Sequence, residues 1–340
     1  MKDLNQKNLN VLKGKFTLDK SGVDCKRFLT TSARLMTSND SQNKGLTLGI
    51  LSALGAYCIW GMIALYWKLL TEADDVEILA HRIVWSLVFV IGLLIVKHQL
   101  GSTLRLLKNL FTAPKENHTL LLVLATVFAS ANWLVNIVGV TAERVVELSL
   151  GTFLTPLATM AIGVVVFSEK ISKLRMAAIA LAAIGVAVLI TGLDRFPWIA
   201  ILVSSTWATY GALKKKIVIE PLKSVAIEHI LMVGPALAYL LSSQGYYLTH
   251  FTEGFNGHLS WALMGTGIVT SVPMILFSFA AQRLPMTVLG IIQFLSPVLT
   301  FLLGLFVFKE PVTTAEFIAL GCILCAVSLY IVGNQRAQAG

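Results

Sequence analysis

Glu77, His81 and Trp85 stand four residues apart within the apolar stretch VEILAHRIVW, Val76 to Trp85, and Arg82 lies beside them. Positions i, i+4 and i+8 share one face of a helix. An acid, an imidazole and an indole on one face, with a guanidinium next to it, form a set that can bind a polar solute or respond to a proton. Histidine is the side chain whose charge ordinarily changes near neutral pH. The plain alternative is structural: Arg82 extends toward the interface, or pairs with Glu77 or another carboxylate.

A second polar set is Asn132 and Asn136, again four apart, with Trp133 between them. Their amides can bind a solute, or can equally be satisfied by hydrogen bonds between helices. Trp60 and Tyr210 lie deep in apolar runs, where their rings can stack on a planar or amphipathic compound. Pro156 and Pro297 lie near the middle of two further runs. Each removes one backbone hydrogen bond and frees the carbonyl four residues earlier, at Thr152 and Gln293. A free carbonyl at that depth needs protein or a water-lined cavity around it. The prolines are therefore packing kinks or discontinuities lining a path, and Gln293 adds an amide at the same level.

These residues sit in a chain whose composition decides its solvent. Of 340 residues, 56% are hydrophobic and 13% are charged, against about 25% charged in an ordinary soluble domain. The charges gather between apolar runs, as in a polytopic membrane protein. The net charge of +9 is spread over short connections, so it reads as an orientation signal and not as a nucleic-acid surface. The lone CxxC, Cys322 and Cys325, lies inside the last apolar run and reads as small residues for helix packing. There is no nucleotide-binding loop, metal-ligand cluster or nucleophile–base pair, so no cofactor, metal or catalytic residue is assigned.

Ten runs reach the length of about 20 residues that crosses a bilayer. They fall near 46–70, 78–96, 119–140, 147–168, 173–191, 195–213, 225–243, 259–280, 287–308 and 314–333. The fifth and sixth are separated by only three residues, and one long re-entrant hairpin is an alternative there. Lysine and arginine favour one side: Lys97, Arg105, Lys108, Lys115, Lys170, Lys173, Arg175, Lys214, Lys215, Lys216, Lys223, Arg283 and Arg336, with nine more in the N-terminal tail. The other side receives Arg144, Arg195 and Lys309. Both termini are expected in the cytoplasm.

The fourth and ninth runs repeat one another. Phe153 to Glu169 reads FLTPLATMAIGVVVFSE and Phe294 to Glu310 reads FLSPVLTFLLGLFVFKE, with eight of 17 positions identical. Ile59–Gly61 likewise matches Thr209–Gly211, and Glu77 matches Glu228. Each repeat has five spans, an odd number, so the second copy enters the membrane inverted. The predicted fold class is an all-α polytopic membrane protein with ten transmembrane helices in two inverted five-helix repeats. That architecture belongs to secondary transporters. Glu169 and Glu310 then end equivalent helices at opposite faces. A carboxylate at a helix C-terminus opposes the dipole, so a gate or a structural partner should hold each of them.

The predicted organisation is a polar tail at 1–45, repeats at 46–191 and 192–333, and a cytoplasmic tail at 334–340. Residues 1–35 read either as an upstream extension from a misplaced start codon before Met36 or as a disordered cytoplasmic tail.

The motifs IWG at Ile59, VEILAHRIVW at Val76, Asn132–Trp133, YGALKKK at Tyr210 and the paired LxP helices resemble the EamA-type drug/metabolite transporters, most closely the RarD branch. The resemblance covers about residues 45 to 335. It implies a transporter-like fold in the bacterial inner membrane and supplies no substrate. The resulting expectation is a secondary carrier of a small metabolite or amphipathic compound, working by alternating access. Its candidate binding residues are Trp60, Glu77, His81, Arg82, Asn132, Trp133, Asn136, Tyr210 and Gln293. The expected partners are a small-molecule solute and the lipid bilayer, with no nucleic acid; a homodimer is left open. A membrane-embedded sensor or assembly protein retaining a carrier fold is the alternative, and a membrane enzyme comes third.

Overall fold

The computed structural model describes residues 25–112, 118–191, 196–242, 257–309 and 313–339. The chain divides into two units, Met1–Gly45 and Leu46–Gly340. In the first, the described residues are helical from Cys25 onward. Cys25 to Lys44 contains no glycine or proline to interrupt a helix. Residues 1–24, on which most of the start-site expectation falls, lie outside the described residues.

The second unit is the membrane body. The helices are α1 (Cys25–Trp67), α2 (Asp75–Val96), α3 (Leu100–Thr112), α4 (His118–Thr141), α5 (Val145–Val165), α6 (Lys173–Ile190), α7 (Trp198–Lys216), α8 (Pro221–Ser242), α9 (His258–Ala281), α10 (Met286–Gln293), α11 (Leu295–Leu303) and α12 (Thr314–Ala339). Among the described residues, nine helical stretches are long and apolar enough to cross a membrane, and α10 with α11 and the following turn count as one of them. Helix α7 is the tenth span. Its 19 residues extend about 28 Å at 1.5 Å per residue, and Lys214–Lys216 end it in polar surroundings. The C-terminal segment expected as a tail continues α12 to Ala339.

Polarity is arranged for lipid outside. Leu51, Val88, Val165, Trp261 and Ile331 are more than half exposed, whereas Ser86, Asn132, Lys214, Glu228, Ser271 and Gln293 are buried. Apolar side chains cost nothing against lipid, while a polar group there is costly.

The helix pairings show the repeat in space. Helix α6 packs along α12, α5 along α10, and α2 along α8. These are spans 5 with 10, 4 with 9 and 2 with 7, so each pairing maps onto itself when the repeats are exchanged. Span 6 packs on spans 3 and 4, as α7 on α4 and α5. Correspondingly, Gly55 and Gly61 of span 1 meet Leu276 of span 8 and Leu299 of span 9. Ser168 and Lys309, the residues just before the two repeated glutamates, both adopt left-handed backbone, with φ of 52° and 55°.

The re-entrant alternative for the fifth and sixth runs is not formed: α6 packs on α12 while α7 packs on α5. The connection after span 2 contains α3, which buries Thr103 and Leu110 and leaves Leu104 and Phe111 exposed. The two prolines also act differently. Pro156 sits inside the continuous α5, where the Thr155 hydroxyl donates to Gly151 O at 2.7 Å. Pro297 lies just beyond a break, where α10 ends at Gln293 and α11 starts at Leu295.

Candidate functional site

The membrane body encloses a cavity of about 640 Å³, within the range of small-molecule sites. It runs from Tyr57, Pro156 and Gln293 at mid-span to Leu70, Thr71 and Asp75 in the turn between α1 and α2. Its lining comes from both repeats: Trp60 and Trp67 of α1, Arg82 of α2, Asn132, Trp133 and Asn136 of α4, Trp207 of α7, Thr270 and Met274 of α9, and Gln293 of α10.

Arg82 is the eighth residue of α2, about 10 Å from the helix start. Its Nε donates to Thr270 Oγ1 at 3.1 Å. The guanidinium carbon lies 5.0 Å from the Trp67 ring and 5.2 Å from the Trp133 ring, so indole faces supply part of its stabilisation. Among the described residues, no carboxylate lies within ion-pair distance of it.

Gln293 is 3% exposed and donates through Nε2 to the Tyr57 hydroxyl at 2.6 Å. Its Oε1 is buried and, among the described residues, meets no hydrogen-bond donor. Asn132 donates from Nδ2 to Val203 O (2.8 Å) and Thr206 Oγ1 (3.0 Å). That amide fastens α4 to α7. Asn136 donates to Asn132 O at 2.7 Å.

The cavity floor is aromatic. Tyr57 and Trp60 of span 1 meet Trp207 and Tyr210 of span 6. The ring centroids are 5.4 Å apart for Tyr57–Trp60, 5.2 Å for Trp60–Trp207 and 5.1 Å for Trp207–Tyr210, and Phe277 stacks on Tyr210 at 5.8 Å. At the repeat offset of 150, Tyr57 corresponds to Trp207 and Trp60 to Tyr210. The pair is therefore written twice with tyrosine and tryptophan exchanged, and it meets itself near mid-membrane.

The structure brings Trp60, Arg82, Asn132, Trp133, Asn136, Pro156, Gln293 and Pro297 to this cavity. It does not bring Glu77, His81 or Tyr210 there. Asp75, Ile78, Leu79 and Arg82 are the α2 residues that line the cavity, and the Glu77–His81–Trp85 stripe lies round the helix from them. Glu77 and His81 are 1% and 4% exposed, with Oε1 and Nε2 3.9 Å apart. Beyond Trp85, Ser86 Oγ donates to Gly267 O of α9, so this part of α2 belongs to helix packing. Tyr210 lies beneath the floor and donates to Glu228 Oε2 at 3.0 Å.

That tyrosine joins a network that had not been anticipated. Lys214 Nζ lies 2.5 Å from both Glu228 Oε1 and Ser224 Oγ, and Lys214 and Glu228 are 0% exposed. A carboxylate eight residues into α8 needs a cation, and Lys214 is reached by going back across the short turn from α7. The requirement was readable; the choice among three consecutive lysines was not.

Glu169 has a clear task. Its carboxylate accepts from Met286 N (2.6 Å), Thr287 N (2.9 Å) and Thr287 Oγ1 (2.8 Å). It is thereby a cap on α10, whose first-turn N–H groups have no partner within the helix. The end of span 4 is fixed to the start of span 9, its repeat mate. Nearby, Lys215 Nζ donates to Leu284 O (2.5 Å) and Gln282 Nε2 to Ile217 O and Ile219 O (3.0 and 2.7 Å). All of these ties are at the end of the bundle opposite the cavity mouth. Glu310 lies outside the described residues.

The two halves of the chain, residues 47–191 and 197–332, each match the EamA-like transporter family. The chain belongs to that family. Among its relatives, this EamA-like chain is 37% identical over 279 residues to Protein RarD of Streptomyces exfoliatus, covering 82% of this chain and 86% of the relative. It is 33% identical to Protein RarD of Salmonella typhi over 290 residues (85% and 96%), and 32% identical to the uncharacterized transporter YojE of Bacillus subtilis over 283 residues (83% and 93%). A crystal structure of a protein 15% identical in sequence has a TM-score of 0.62, covering 84% of this chain and 98% of the other. That likeness is one of fold alone. The double match accounts for the two halves of the EamA-like body, and the cavity lies where those halves meet.

Proposed function

We propose that this EamA-like protein is a secondary carrier of the bacterial inner membrane. It moves a small metabolite or amphipathic compound by alternating access, with both termini in the cytoplasm. One observation carries the reading: the cavity reaches from mid-span to the Asp75 end, while the Lys216 end is closed by Glu169, Lys215 and Gln282. The lysine and arginine bias supports a cytoplasmic Lys216 end, and on that reading this is an outward-facing state. Inverted repeats give the body a second arrangement in which the open and closed ends exchange. The cavity weighs against a sensor or assembly protein, which has no need of a solute-sized chamber, and no reacting constellation in it supports an enzyme.

The experiment is sided cysteine labelling together with a transport assay. In a background without the four native cysteines, a cysteine at position 74 reacts with a membrane-impermeant maleimide added outside, and one at position 216 does not. Strong outside labelling at 216 refutes the orientation. Failure of the reconstituted protein to move any member of a broad panel of radiolabelled metabolites in either direction refutes the carrier reading.

A further inference from the structure

Arg82 is a cation in search of an anion. It sits two turns inside the membrane body, its guanidinium lies between Trp67 and Trp133, and its one hydrogen bond uses Nε on Thr270. The terminal nitrogens, which form the fork that matches a carboxylate, have no protein acceptor among the described residues. Arg82 also lines the cavity. Asp75, the acidic residue of the same lining, is seven positions earlier, at the exposed first turn of α2. Water and the helix N-terminus stabilise it there without a ligand. Arg82 has neither.

Resting on the carrier reading above, we propose that the transported solute is a small organic monoanion. Its carboxylate docks on the terminal nitrogens of Arg82, and its flat, apolar body lies among Trp60, Trp67, Trp133 and Trp207. Among the described residues one cation lines the cavity, which fits one negative charge; a dianion would bring a second charge without a second cation to meet it. The four indoles reject a strongly hydrated solute and favour a planar one. Buried Gln293 Oε1, lacking a donor, offers a place for a hydroxyl or N–H at the far end of the solute.

The test uses the full-length purified protein and three probes of one shape: phenylacetate, neutral phenylacetamide and cationic phenethylamine. Four of the seven tryptophans line the cavity, so quenching of intrinsic fluorescence reads occupancy. Phenylacetate is expected to quench saturably, with the amide and the amine weaker by about tenfold or more, a ratio equal to about 1.4 kcal/mol. Arg82→Gln should reduce phenylacetate to the level of the amide. Arg82→Lys should recover part of the loss, keeping charge but not the fork. The probe series on the unaltered protein decides the matter even where Arg82→Gln does not fold. Equal binding of the amide or amine overturns the proposal and leaves the carrier reading standing. So does phenylacetate binding that Arg82→Gln leaves unchanged. No response to phenylacetate at millimolar concentration overturns it as well. Saturable, Arg82-dependent binding of phenylacetate by a protein that moves no member of the metabolite panel supports the anion site and removes the carrier reading.

Discussion

If Glu169 locks the cytoplasmic end, weakening it should open that end measurably. The carboxylate accepts three hydrogen bonds, at 2.6, 2.9 and 2.8 Å, all from the first turn of α10. Glu169→Gln keeps the length but removes the charge, and turns one acceptor into a donor facing donors. Hydrogen bonds to charged groups contribute about 1.5–3 kcal/mol each, and the glutamine still accepts some of them. A net loss of about 1–3 kcal/mol is therefore expected, which corresponds to a population shift of about 5–150-fold. The assay is alkylation from the cytoplasmic side of a single cysteine at position 289, which is fully buried in the closed end. When opening and closing are fast, the rate follows the open population, so Glu169→Gln should accelerate labelling by that same factor. Glu169→Asp should lie between, since the shorter side chain cannot reach both N–H groups. An unchanged labelling rate with a lowered unfolding temperature would mean that the cap persists in both states. Glu169 is then structural, and the gate lies elsewhere.

Two further substitutions probe packing. Lys214→Met leaves Glu228 buried without its cation and should cost about 3–5 kcal/mol. Adding Glu228→Leu should regain much of that, and a double mutant no more stable than Lys214→Met contradicts the pairing. Gly267→Ala places a methyl group against the backbone carbonyl of Trp85, where neither helix can yield cheaply. Overpacking of this kind costs about 1–3 kcal/mol, so thermal unfolding should shift down, and an unshifted midpoint would show that α2 and α9 are less closely packed than the structure places them.

The spans were legible because apolar length is a one-dimensional property. Helix α9, expected at 259–280, occupies His258–Ala281, and α2, expected from 78, begins at Asp75. The inverted repeat was legible because Pro156 with Glu169 and Pro297 with Glu310 keep the same spacing. The rotation of α2 was not legible. Glu77, His81 and Arg82 are neighbours in sequence, and the 100° per residue that separates His81 from Arg82 sends one into packing and the other into the cavity. Which face of a fully apolar helix points inward depends on its neighbours, and lipid supplies no polar side to read. Amphipathic α3 left a clearer trace in its spaced leucines, but a short helix between two long spans is easily read as connection. Pro156 and Pro297 were treated alike because their surroundings in sequence are alike. Only the second lies beyond a broken helix.

The repeat is most informative where it fails. An exact two-fold chain would make the two closed ends equal in energy, and neither access state would be favoured. At the offset that matches Ile59–Gly61 to Thr209–Gly211, Lys214 corresponds to Ala64, so the lysine that meets Glu228 in the second repeat is not written again in the first. The Lys216 end thus holds spans 6 and 7 with an ion pair of 0% exposure, made by a lysine for which the first repeat has alanine. Added to this are the Gln282 and Lys215 bonds that tie the turns after spans 6 and 8 together. The end bearing that pair is the closed one, and the mouth opens at the other. Arg82 breaks the symmetry in the same way: its counterpart, one residue further along the offset that pairs Glu77 with Glu228, is Val233. A solute anion on Arg82 therefore meets its cation from one repeat alone. Its binding energy acts on span 2 and, through Thr270, on span 8, the two helices that would have to move together when the outer end closes.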